Sequence, residues 1–74
     1  MFAPYDRVEI ATDRFAEEGV HRGAIGYVIE RWPDGALEVE VLKSDGSTAA
    51  QFVAHPSELQ LAPGVRRERG PDRK

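Results

Sequence analysis

Apolar and charged residues alternate in two short stretches, Arg7-Val8-Glu9-Ile10-Ala11 and Leu37-Glu38-Val39-Glu40-Val41. A period of two is the signature of a half-buried strand, so Val8 and Ile10 in the first and Leu37, Val39 and Val41 in the second should face inward. Between them, Gly23-Ala24-Ile25-Gly26 leads into the β-branched and aromatic run Tyr27 to Trp32, a third strand. Two glycines three apart at its start suit a tight turn or a bulge. Pro33-Asp34-Gly35 then forms a turn, because proline presets one backbone angle and glycine accepts the unusual one. Ser44-Asp45-Gly46-Ser47 is a hairpin signal that joins Leu37–Val41 to a further β run, Thr48 to Val53, as antiparallel neighbours. In that run Phe52 is the expected core residue. His55-Pro56-Ser57-Glu58 reads as a short 3₁₀ turn, and Leu59-Gln60-Leu61 as a last strand before Pro63-Gly64.

The stretch Thr12 to Arg22 is the least regular. Thr12 or Asp13 is positioned to cap one helical turn through Glu17, Gly19 ends it, and Phe15 anchors an otherwise polar loop. Five short strands, a long first loop and one 3₁₀ turn before the last strand predict an all-β fold, a small five-stranded SH3-like barrel that removes most exposed strand edge.

The chain has 74 residues and no cysteine. One domain of this size buries only about 60% of the surface its unfolded form exposes, so its stability rests on a compact apolar core or on a partner. A small core also leaves little room for a substrate pocket with the supporting shell that catalysis needs. No apolar run approaches the roughly 18 residues of a membrane span, so a soluble, cytoplasmic protein with no membrane contact is expected. Charge is unevenly placed: residues 1–64 carry five basic and eleven acidic side chains, a net −6, whereas residues 65–74 carry five basic and two acidic, a net +3. The expected organisation is a barrel over residues 1–64 followed by a basic, disordered tail over 65–74, whose other reading is a hook for an acidic partner or nucleic acid.

Read together, Tyr5-Asp6-x-Val8-x-Ile10, Gly23-x-x-Gly26-x-Val28-Ile29-Glu30, Gly35, Glu38-Val39-Glu40-Val41, Asp45-Gly46 and Leu59 resemble an uncharacterised family of short bacterial proteins, a domain of unknown function. Its pattern reads YDxV, GxxGxVVE, YEVEF and DG in that order, and the likeness spans most of residues 5–61. The segment Gln51-Phe52-Val53-Ala54-His55 departs from the more aliphatic run of that pattern. The resemblance implies an SH3-like barrel. The frequent location of such genes beside those for toxin-like or other small proteins implies a binding or neutralising role. It designates no active-site residue. Gly23-x-x-Gly26-x-Val28 also resembles the KOW motif of ribosomal and transcription proteins and the small barrels of photosynthetic electron-transfer complexes, where such a barrel docks on protein or RNA. A strand of any small barrel wants glycine at these spacings, which gives Gly23 and Gly26 a structural meaning first.

Candidate chemistry is sparse. No glycine-flanked serine elbow and no phosphate-cradling loop with a following lysine occurs. His21 and His55 read as solvated loop histidines, and without cysteine or a His-x-x-x-His pair no metal or cofactor is implied. Glu38 and Glu40 lie about 7 Å apart on one strand face, close enough to share a cation but more simply a solvated face. Arg7, Arg22, Arg31 and Lys43 with Tyr5, Tyr27 and Trp32 offer a local positive patch, yet a body charge of −6 opposes nucleic acid. The expected function is non-catalytic protein binding, as an antitoxin or immunity-type protein or a complex accessory, with a KOW-like nucleic-acid or ribosome adaptor as the alternative. The acidic body favours a basic protein partner, and an exposed edge strand leaves room for a homodimer. Trp32, at the end of its strand, either caps the core or anchors an interface. Tyr5, Phe15, Arg22, Trp32, Glu38 and Glu40 are the candidate partner-binding residues, with Tyr5, Phe15 and Trp32 as a possible exterior aromatic cluster.

Overall fold

The computed structural model describes residues 2–64. The basic tail, residues 65–74, lies outside the described residues. Five strands follow in order: β1 (Arg7–Ile10), β2 (Ile25–Arg31), β3 (Leu37–Leu42), β4 (Thr48–Ala54) and β5 (Leu59–Leu61). Single 3₁₀ turns stand at Ala16–Glu18 and Pro56–Glu58. All strand pairs are antiparallel, in the order β4-β3-β2-β1-β5.

The period-two pattern is realised where it was clearest. Val8 and Ile10 on β1 and Leu37 and Val39 on β3 are almost fully enclosed, and Phe52 and Ala54 bring β4 onto the same core. No polar or charged residue is buried among the described residues. Of the alternating pair on β5, Leu59 is buried but Leu61 is 58% exposed, because it lies opposite Val8 on an outermost strand with nothing beyond it.

The two glycines before β2 serve different ends. Gly23 takes a positive φ of 96° in a tight turn, its N–H donating to the Ile10 carbonyl at 2.7 Å. Gly26 instead sits where β3 passes closest: a Cβ there would lie 2.9 Å from Val39 Cγ1 and 3.0 Å from the Glu40 carbonyl oxygen. The bulge suggested for this glycine pair lies further along, where the β2–β3 register shifts between Val28 and Glu30.

The long loop corrects the expected cap. The Thr12 hydroxyl accepts the Arg14 N–H at 3.1 Å and Asp13 Oδ1 accepts the Arg22 N–H at 3.3 Å, so both side chains tie the loop together. The turn Ala16–Glu18 starts from Phe15 without a side-chain cap and ends, as expected, at Gly19 with φ 82°. Phe15 is driven into the core and stacks on Phe52 with ring centroids 3.9 Å apart.

The all-β fold of five short strands is as expected; β4 and β5 are the edges of the sheet and no ladder joins them among the described residues, which is compatible with a small barrel-like fold. Side chains and the second 3₁₀ turn span the gap. Arg14 donates through Nε and Nη2 to the carboxylate of Glu58, the latter at 2.8 Å, and Nη2 also lies 3.3 Å from the Val53 carbonyl oxygen. Ala11 N–H donates to the Glu58 carbonyl at 2.8 Å. One guanidinium thus ties the long loop to the end of β4 and to the turn that leads into β5.

Candidate functional site

The end of the sheet where β2 turns into β3 carries an open groove of about 590 Å³, lined by Phe2, Arg31, Trp32, Pro33, Gly35, Leu37 and Pro56. Its volume lies within the usual range of ligand sites, about 300–1,000 Å³. Three separate parts of the chain build it. Leu37, 1% exposed, supplies the floor from β3, and Pro56 comes from the second 3₁₀ turn. Phe2 packs half-buried against the core from the N-terminal segment.

The β2–β3 turn fixes the wall. Trp32 N–H donates to the Ala36 carbonyl at 2.8 Å, Gly35 N–H to the Trp32 carbonyl at 2.9 Å, and Asp34 Oδ1 accepts the Ala36 N–H at 2.9 Å. Gly35 adopts φ 93°, the conformation that this turn needs. Trp32 itself is 38% exposed. It lines the groove and is not among the half-buried residues packed on the core, which are Phe2, Ala24 and Ala50.

Among the described residues Arg31 is the one charged side chain lining the groove, and the bulge explains its presence. Val28 pairs with Val39 on the inner face, so a regular ladder would set Glu30 opposite Leu37 on that same face. The extra residue instead pairs Glu30 with Glu38 on the outer face and Arg31 with Leu37 on the inner one. Re-aiming a side chain is what bulges do. Neither the Arg31 guanidinium nor the Trp32 indole N–H meets an acceptor among the described residues.

The other candidate residues do not gather here. Phe15 is 4% exposed inside the core, which removes it from any exterior aromatic cluster. Tyr5 is half-buried before β1, with φ 75° and its N–H donating to the Val28 carbonyl at 2.6 Å. Arg22 is committed to the Ala11 carbonyl at 2.8 Å and to Asp13 at 3.5 Å. Glu38 and Glu40 point outward from β3, accepting from Gln51 Nε2 and the Thr48 hydroxyl. Of the basic residues considered for nucleic acid, Arg7 donates to the Pro63 carbonyl, Arg22 is engaged as above, Arg31 faces the groove and Lys43 begins the β3–β4 turn.

Electrostatics mark a second, structural cluster that sequence reasoning passed over. The Arg14 hydrogen bonds, against the opposing effect of burial and with help from the His55 N–H, hold the Glu58 carboxyl down to about 2. The same contact raises Arg14. Asp45 is lowered by the Ser47 hydroxyl and then by the Ser47 N–H, which closes the β3–β4 turn. Among the described residues no three of His, Asp and Glu gather into a metal-ligand set, and no helix is long and apolar enough to cross a membrane.

Fold and groove together define a small all-β domain with an open antiparallel sheet and an apolar, arginine-marked cleft at one end. The chain belongs to the family described as domain of unknown function DUF4926, whose model matches residues 5–61, from Tyr5 in the turn that precedes β1 to the last residue of β5. No curated protein and no solved structure is significantly similar to it.

Proposed function

We infer that this chain is a non-catalytic protein-binding module of SH3-like design whose docking site is the groove at Trp32. The observation that carries the reading is Trp32, 38% exposed and framed by Pro33 and Pro56 over a core end. Half-exposed tryptophans set in apolar clefts are the residues that dominate protein interfaces. The order of elements supports the SH3-like part: a long loop after β1, three strands joined by tight turns, then a 3₁₀ turn before a last strand beside β1. The net −6 of residues 1–64 favours a partner that is basic overall. An antitoxin, immunity-type or complex-accessory role, in a bacterial cytoplasm, is the biological setting that suits such a module.

Affinity capture from native lysate with wild-type protein and Trp32→Ala, at matched thermal midpoints, tests the reading. A stoichiometric protein should be retained by the wild type and lost with the variant. Retention of RNA instead, collapsing as salt rises, would replace this reading with the nucleic-acid adaptor.

A further inference from the structure

We propose that the groove receives an extended, proline-containing segment of the partner protein with an acidic side chain seated against Arg31. This rests on the groove being a protein-docking site and goes on to say what enters it.

Two common ways of holding a peptide fit this groove poorly. β3, which forms the groove's floor, is paired on both sides, and β2 is paired with β1 only as far as Tyr27, so the strand edge offered at the wall is no longer than the last few residues of β2, short for strand addition. The groove is instead lined by rings, the Trp32 indole, the Phe2 phenyl and the pyrrolidines of Pro33 and Pro56. An amphipathic helix would bring backbone carbonyls already satisfied within itself and so none to meet the indole N–H of Trp32. An extended polyproline-type segment packs its own rings on such a surface and keeps every carbonyl free to accept. The unpartnered indole N–H is the donor that such a backbone meets.

Charge selects the rest. The domain is acidic, yet among the described residues the only charge lining its apolar cleft is positive, and it is there because the Val28/Glu30 bulge turns Glu30 outward and Arg31 inward. Without the extra residue the cleft would carry a glutamate. A guanidinium beside apolar surface pairs well with a carboxylate through two parallel hydrogen bonds. At physiological ionic strength, where charges are screened over about 8 Å, this contact acts locally. An acidic residue in the docked segment is therefore compatible with a partner that is basic elsewhere.

The chain has one tryptophan, so its fluorescence reports directly on the groove. The probes are a proline-rich decapeptide with two aspartates at one end, the same peptide with lysines there, an aspartate-bearing glycine-serine decapeptide, and laurate as a small amphipathic acid. The aspartate–proline peptide should shift Trp32 emission and move amide resonances of Arg31, Trp32, Gly35 and Leu37, with affinity about tenfold above that of the lysine version. The double exchange Glu30→Arg with Arg31→Glu keeps composition and net charge and should invert that preference at an unchanged thermal midpoint. If the exchange unfolds the domain, Arg31→Gln serves instead and should erase the preference. Equal binding of the glycine-serine peptide, binding of laurate alone, no binding of any probe, or a preference untouched by the charge variants would overturn the proposal. Capture of a partner through Trp32 while all peptides fail would sink this proposal and leave the docking site standing.

Discussion

Gly26 and Glu58 show how much can rest on one residue in a domain this small. A methyl group at Gly26 meets Val39 Cγ1 at 2.9 Å and the Glu40 backbone oxygen at 3.0 Å, and the backbone atom cannot swing aside. Gly26→Ala should therefore cost about 1–3 kcal/mol in chemical denaturation, the usual penalty for overpacking. Gly23 has nothing within 4 Å of such a methyl and needs glycine only for its positive φ. Glu58 acts through charge. Its carboxyl is held at about 2, against an ordinary 4.5, so the unfolded chain binds the proton more readily than the folded one. Stability from this group is then complete above about pH 4.5, declines as the pH falls through the window between the two values, and is gone below about 2. Thermal melts of the wild type should fall more steeply over that window than melts of Glu58→Gln, which has no carboxyl to protonate. Parallel curves would show that the Arg14 contact does not persist in solution.

At the scale of elements, what the sequence reveals depends on whether a signal is local. The alternation in Arg7–Ile10 and Leu37–Val41, the Asp45-Gly46 hairpin and Pro56 opening a 3₁₀ turn are each settled within a few residues, and each is found where expected. Phe52 as the inward residue of β4 is less plainly marked, since Ala50 shares its parity but Val53 offers an apolar residue on the other face; Phe52 is the buried one and Val53 is 48% exposed. Thr12 and Asp13 mislead because their side chains find partners in Arg14 and Arg22 across the loop instead of the turn beside them. Phe15 was legible as an anchor, but its stacking on Phe52 depends on a pairing of distant segments that no local pattern encodes. The same holds for the groove. Trp32 stood out alone, whereas Arg31 entered only through a bulge, which shifts register without a compositional mark. Phe2 and Pro56 join it through the fold. Arg14 and Glu58, forty-four positions apart, looked like ordinary surface charges until topology brought them together.

For the whole molecule, the open sheet sets the terms of association. β4 and β5 are both edges, and each carries an exposed aliphatic side chain, Val53 at 48% and Leu61 at 58%. Natural edges of this kind pair with copies of themselves unless charged or covered. Arg14 covers the Val53 carbonyl but leaves the rest of β4 open. Sedimentation velocity over a rising concentration series should show reversible dimerisation of the wild type, and Val53→Lys should remain monomeric throughout. A wild type that stays monomeric to the highest concentration would mean that the covered part of the edge is protection enough.

The pairing of β1 with β5 has a temporal consequence as well as a spatial one. Ile10 lies in the first strand of the sheet to be synthesised and Leu59 in the last, yet they are direct partners. During translation β1 must wait with one side bare until nearly the whole domain has left the ribosome, because no earlier strand supplies its second neighbour. Long-range strand pairing of this kind is intrinsically slow to form, and the sheet completes itself only when three residues, Leu59 to Leu61, emerge.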